Sequence, residues 1–330
     1  EMEADWELVR MEQAPGLPQF ANGPLGKGFL TNGEGVPGFL NGTADFTVNK
    51  LSELMNLQIT GGSTAVRFTG QFGMRVTGAA AKEMLIRAAA EEWNVRPEEC
   101  VARLSHVHHE ASGRKASFGT LAGAAAGFTP SSTPKLKEKK DYTIVGTPKQ
   151  RFDIPDKVMG KTEFGIDVKL PGMAYATILQ APVFGGKLVR VHAEEALKMR
   201  GVKQVIELED GVAVIADNTW RAQQALAYID AGFSDGGNGS VTTESIFSQF
   251  DKDLREKDGD ADHEAGDGTD ALESAARLVE AEYRVPFLAH ATMEPMNCTV
   301  RFEEGKCEVW LGTQDALGTR AVVADITGLS

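Results

Sequence analysis

Between residues 73 and 93 apolar side chains recur at helical spacing: Met74, Ala81, Leu85 and Ala88 fall on one face, and Pro97 lies beyond the end. Elsewhere the period shortens to two, or apolar residues run together over strand length. Residues 6–11 alternate as a strand would, and residues 164–168, 174–179, 202–208 and 212–216 read as strands, the first two joined by the turn Leu-Pro-Gly-Met. Helices are predicted over 193–199, stopped by Gly201, and over 219–228, with Asn218 as N-cap. This β-β-α-β-β-α order describes an α/β block over 141–235. Further on, a short helix is predicted at 271–278 and a strand at 307–311 that delivers Thr313 and Gln314. A last helix is still running when the chain stops at Ser330.

The intervening stretches lack either period. Glycine, proline and asparagine crowd 16–42, which reads as a long loop. Residues 129–134, Thr-Pro-Ser-Ser-Thr-Pro, lead into a lysine run over 135–140 broken by Leu136 and Glu138, so 133–140 is predicted to be a solvated linker. The polar, acidic stretch 236–270 is predicted to be a surface excursion, and its spacing does not meet the Gly and Glu requirements of an EF-hand. Three blocks result, 1–132, 141–235 and 271–330, and the fold class is mixed α+β and α/β.

A net charge of −13 excludes a nucleic-acid groove or an anionic membrane surface as the natural partner, because both require clustered Lys and Arg. No apolar run approaches the ~20 residues of a membrane span. Three irregularly spaced cysteines form neither a disulfide framework nor a zinc ribbon; Cys298 and Cys307 fit neighbouring strands, and the thiols are expected to be buried. The chain opens on Glu1 without Met, and the absence of a targeting segment leaves the compartment open.

Four places carry candidate chemistry. Gly61, Gly62, Ser63 and Thr64 lie between a strand-like segment and a helix, where free N–H groups and hydroxyls attract phosphate; the plainer reading is a turn with a Ser/Thr cap. His106, His108, His109 and Glu110 suggest a metal cluster, yet an Ala-Ser-Gly-Arg turn follows at once, as in an exposed hairpin. His290 and Glu294 form either an acid/base pair or a buried hydrogen bond that holds a loop, with Met293 and Met296 as core or pocket lining. Gln314, beside Asp315, is expected as a buried amide at a strand end, able to donate an N–H without changing charge. No Ser/His/Asp order or catalytic carboxylate pair can be assigned.

Taken in order, TGGSTAVR at 60–67, GTPKQRFDIPDKVMGKTEFGIDVKLPGMAYATILQAPVFGGKL at 146–188, VPFLAHATMEPMNCTV at 285–300 and GTQ at 312–314 resemble the molybdopterin-binding subunit of the xanthine dehydrogenase family of molybdenum hydroxylases. Within it they are most similar to the branch of isoquinoline 1-oxidoreductase beta subunits and periplasmic aldehyde dehydrogenase large subunits. The resemblance implies a hammerhead-like α/β domain at 141–235, the start of a first-type molybdenum-cofactor-binding domain at 271–330 and part of a second-type domain at 1–132. It implies that Gln314 hydrogen-bonds a molybdenum oxo group, that residues 61–64 contact the phosphate-bearing side of the pterin, and that His290 and Glu294 support the pocket, with no residue ligating the metal directly. It further implies a molybdopterin cofactor, the cytosine dinucleotide form among its variants, [2Fe-2S] clusters on a small iron–sulfur subunit, a cytochrome c subunit as a further partner, and a periplasmic location. The family's activity is oxidation of an aldehyde or hydroxylation of an N-heterocycle with water as oxygen source.

The same resemblance places a Gly-Gly-Gly-Phe-Gly loop and the glutamate base after Ser330 and a Met-Gly-Gln-Gly loop before Glu1. The chain alone is therefore expected to be inactive unless the rest of its polypeptide or a complementary chain completes it. The competing reading is a non-catalytic structural or interaction module of the same fold without cofactor. Placement separates the two: a site requires Gln314 and residues 61–64 to line one cleft large enough for a pterin, whereas the module is favoured if they face solvent or pack apart.

Overall fold

A computed structural model describes residues 1–260 and 265–329, so residues 261–264 of the acidic stretch and Ser330 lie outside the described residues. The chain divides into two compact units, Glu1–Val168 with Glu294–Ser330, and Lys169–Met293. This division joins 141–168 to the first block, whereas the pattern predicts a boundary at 141.

The stretch 16–42 is not a loop. It contains α1 (Gly23–Leu30) and leads into α2 (Asn41–Leu54), and the two pack as a helical hairpin. Asn22 caps α1 by accepting from the Leu25 N–H, and Pro24 sits in the first turn, where its missing N–H costs nothing. The glycines serve close approach: a Cβ on Gly26 would lie 2.9 Å from Val48 Cγ1. The buried Lys27 ammonium ties the hairpin by donating to Asn41 Oδ1 (3.0 Å) and Asp45 Oδ1 (2.6 Å).

Next come α3 (Gly62–Phe68), a π-helical turn (Thr69–Met74) and α4 (Arg75–Trp93), an unbroken path because Phe68 and Met74 keep right-handed helical dihedrals. The left-handed Asn94 ends it. Leu85 and Ala88 are buried as the periodicity predicts, but Met74 is exposed on the π turn, where the 3.6-residue register slips. A three-stranded antiparallel meander follows, β1 (Val101–Arg103), β2 (His106–His109) and β3 (Arg114–Ser117), then α5 (Phe118–Ala125), capped by Ser117. Leu85, Trp93, Cys100, Val107, Phe118 and Leu121 form the main core here. A short α6 (Ile154–Val158) completes this part.

Two predicted strands are 3-10 turns instead. At Trp6–Leu8, Asp5 caps the turn through the Glu7 N–H, and at Gly165–Asp167, Asp167 accepts from the Phe164 N–H. Local side-chain-to-backbone bonds of this kind outcompete a ladder. The lysine run is also not free in solvent. Lys135 N donates to Glu83 Oε1, Lys137 N to Glu1 Oε2, and Arg75 Nη2 to Lys137 O, all at 2.9–3.0 Å.

In the second unit, β4 (Tyr175–Gln180), β5 (Leu188–His192), α7 (Glu194–Leu197), β6 (Val202–Glu207), β7 (Gly211–Ala216), α8 (Thr219–Leu226) and β8 (Asp230–Phe233) follow in order. The central β7 pairs antiparallel with β4 and β6, which explains its continuous apolar run, and β5 pairs with β8. Ala196 of α7 and Ala225 of α8 pack on Val214. Asn218 caps α8 as predicted. The polar excursion hides a helix, α9 (Thr243–Glu256), opened by a Thr242/Ser245 capping box; a shorter helix, α10 (Gly268–Glu273), follows. The apolar face of α9, carrying Ile246, Phe247, Phe250 and Leu254, is diluted by charges and escapes a composition-based reading.

The returning segment of the first unit carries β9 (Thr299–Glu303), β10 (Lys306–Trp310) and α11 (Ala316–Thr327). Glu304 and Gly305 both have positive φ, which suits a tight two-residue hairpin turn. α11 is not left open: it closes at the left-handed Gly328. Cys100 is buried, Cys307 half-buried and Cys298 exposed, so the expectation of buried thiols holds only for the first. Local burial of its sulfur, with Cys307 adding to it, raises the Cys298 thiol above its ordinary pKa. In native protein, 5,5′-dithiobis(2-nitrobenzoate) is expected to label the exposed Cys298 slowly near neutral pH and faster as pH rises, and the buried Cys100 only on unfolding. Equal rates at all three would contradict this packing.

No helix among the described residues is long and apolar enough to cross a membrane.

Candidate functional site

Residues 57–60 run extended between two neighbours and alternate their hydrogen bonds. On one side the Leu57 carbonyl accepts from Asn22 N and the Ile59 carbonyl from Asn22 Nδ2, both at 2.7 Å. On the other, Gln58 N donates to Asp315 Oδ1 (3.1 Å) and Thr60 N to the Gln314 carbonyl (2.8 Å), which also accepts from Thr60 Oγ1 (3.2 Å). Residues 254 positions apart are thereby fastened together. Asp315 also accepts from Gly318 N and caps α11, so both its roles here are structural.

The two glycines that follow are required for different reasons. Gly61 has φ −72° and ψ 155°, which any residue adopts. What it lacks is room, since a Cβ there would lie 1.8 Å from Gln314 Oε1 and 2.4 Å from its Cδ. Gly62 has open space around it but φ +74°, which side chains strain to adopt. α3 then begins with no side-chain cap, which removes the reading of residues 61–64 as a Ser/Thr-capped turn. By helix geometry its first N–H groups have no intrahelical acceptor, and the macrodipole leaves partial positive charge there. Ser63 and Thr64 are exposed in this first turn, their hydroxyls unbonded among the described residues.

Gln314 is exposed rather than buried, because the chain leaves β10 four residues earlier and turns along the surface into α11. Its side-chain amide makes no hydrogen bond among the described residues. A helix N-terminus and a free neutral amide are thus adjacent, as a site requires, but they face solvent on one open surface instead of lining a cleft, and that part of the test favours the cofactor-free module. A groove of about 500 Å³ beside them, walled by Val309, Thr313, Ala316 and Arg320, does not take in residues 61–64.

The other candidates fall away from this point. Glu294 Oε1 accepts from Ile166 N (3.2 Å) and Asn297 Nδ2 (2.8 Å), so it anchors the returning segment to the 3-10 turn at Gly165–Asp167. His290 is exposed, which corrects the expectation of a buried histidine hydrogen bond. Met293 and Met296 are 100% and 98% exposed, which corrects their expected core or pocket role; residues 286–296 have no regular structure to gather their side chains. His106 and His108 do share a face, with rings 6.1 Å apart, but His109 points to the opposite side and bonds Ser112 Oγ (2.7 Å). Among the described residues no group of three or more His, Cys, Asp or Glu is placed to hold a metal ion. The sequence reading missed Asn22 and Gln58; the signal available was Asn before Gly-Pro, a helix start.

Residues 250–330 match the molybdopterin cofactor-binding domain. The match takes in Gln314 and begins inside the stretch predicted to be an excursion. Over its whole length the chain is 26% identical to the beta subunit of isoquinoline 1-oxidoreductase from Brevundimonas diminuta, covering 44% of that protein. Over 76% of its length it is 26% identical to a nicotinate dehydrogenase subunit of Pseudomonas putida, covering 22% of it. Quinoline 2-oxidoreductase from Pseudomonas putida 86 aligns in structure with a TM-score of 0.40 and 17% identity, over 56% of this chain and 29% of that one. The resemblance carried by the ordered motifs is borne out, and the mixed helix and strand fold agrees with it. The chain spans less than half the length of these relatives.

The residues present fit such a cofactor. A phosphate-bearing group requires open N–H donors and hydroxyls, and the start of α3 offers them uncapped; a neutral donor stands beside them at Gln314.

Proposed function

We propose that this chain forms one wall of a molybdenum-cofactor site in the catalytic subunit of a molybdenum hydroxylase that oxidises an aldehyde or hydroxylates an N-heterocycle. The observation that carries the reading is the Thr60–Gln314 junction, which sets an uncapped helix N-terminus against an unbonded amide. When bound, the cofactor supplies the redox chemistry. The N–H groups at the start of α3, with Ser63 and Thr64, hold a phosphate by charge-assisted hydrogen bonds. Gln314 donates an N–H towards the cofactor and orients it without adding charge. Gly61 lets that amide lie flat against the backbone, and Glu294 keeps the returning segment in place.

The finer expectations rest on the resemblance of the ordered motifs: the cytosine dinucleotide form, a [2Fe-2S] subunit, a cytochrome c partner and the periplasm. The relatives named as subunits support partner chains in general. Co-producing the full-length protein with its partner chains and assaying molybdenum and fluorescent pterin oxidation products tests the reading. Stoichiometric molybdenum and pterin are expected. Absence of both sinks it and leaves the cofactor-free module.

A further inference from the structure

We propose that Asn22 is a positioning residue for this site: it sets residues 57–60 so that Thr60 meets Gln314 and the start of α3 is held beside the Gln314 amide. The inference rests on the site reading above.

Asn22 is only 7% exposed and every polar atom of its side chain is engaged. Nδ2 donates to the Ile59 carbonyl (2.7 Å) and to Thr69 Oγ1 (3.0 Å). Oδ1 accepts from Leu25 N and from the Thr69 hydroxyl, both at 3.1 Å. Its backbone N–H donates to Leu57 O. One side chain therefore joins the start of α1, the extended segment before Gly61 and the π turn that follows α3. The packing agrees, since Leu25 of α1 lies against Ala65 and Phe68 of α3.

The residue type is dictated by needing donor and acceptor at once. Serine, a good N-cap, is too short to reach Ile59 O while capping Leu25. Aspartate keeps the cap but turns an oxygen towards the Ile59 carbonyl oxygen, leaving a buried acceptor facing another. A residue that mattered only as a helix cap would tolerate both changes.

Hydrogen exchange of the Thr60 amide, whose N–H donates to Gln314, reads the junction directly. In Asn22→Asp at neutral pH, Thr60 is expected to exchange about tenfold faster or more than in wild type. Leu25 and the core amides of Val107 and Leu121 should keep their protection. As pH falls and the new carboxyl gains a proton, it can donate to Ile59 O again, so Thr60 protection relative to wild type should recover. The wild-type reference at each pH accounts for Asp315, which accepts from Gln58 N on the far side of the same segment. Asn22→Ser is expected to lose Thr60 protection at every pH. Unchanged Thr60 exchange in both variants overturns the proposal, as does equal loss at Leu25 and in the core. No cofactor enters this measurement, so its failure leaves the molybdenum assay untouched, and a cofactor-free protein leaves the exchange result standing.

Discussion

Replacing Gln314 by alanine in the assembled enzyme is expected to lower turnover by as much as about 10²–10³-fold, equivalent to ~2.7–4 kcal/mol if the amide stabilises developing charge. The fold should persist. The side chain makes no hydrogen bond among the described residues, and the backbone carbonyl that receives Thr60 survives the change. Gln314→Glu sharpens the test, because it keeps the size but replaces the donor by an anion and should recover nothing. A fall in kcat with KM nearly unchanged would mark an interaction made in the transition state. Identical kinetics in wild type and Gln314→Ala, measured by dye reduction with an aldehyde or N-heterocycle, would remove Gln314 from the site.

Gly28→Ala should destabilise the first unit, although alanine is the better helix former. At an ordinary helical position the exchange gains about 1 kcal/mol. At Gly28 the added Cβ would lie 2.2 Å from both Cγ and Cδ2 of Phe68. Cγ is the root of the ring, so relief requires moving α3 itself rather than swinging a side-chain tip. Overpacking of this kind costs about 1–3 kcal/mol, and contact this close belongs at the upper end. A net loss of roughly 2 kcal/mol is expected in chemical denaturation of the chain. Because α3 must shift away from α1, Thr60 protection should fall in the same variant. A stability gain would show that α1 and α3 are not in this contact.

Both experiments act on features of unequal legibility. The Asn218 cap, the helix over 75–93 and the four strands of the antiparallel sheets that begin near 175, 202, 212 and 307 follow from local pattern, because each reflects which face meets a core a few residues away. The hairpin of α1 and α2 was not legible. Its glycines are used for helix contact, and a glycine chosen for space looks in sequence like one chosen for flexibility. The same ambiguity covers Gly61 and Gly62, adjacent and identical in type, one required by its neighbour and the other by its φ. The methionines near 293 misled in the opposite direction: apolar residues imply burial only where a regular backbone gathers them, and that segment has none.

By itself the sequence determined the mixed α and β character, a helix following residues 61–64 and, through motifs in fixed order, the resemblance to molybdopterin-binding chains. Only the tertiary structure decided that Thr60 rests on Gln314, that the Gln314 amide is exposed and unbonded, and that Asn22 holds the segment between them. Periodicity records how a residue faces its nearby core. Hydrogen bonds between segments 254 residues apart impose no period on either, so they emerge only when the chain is folded.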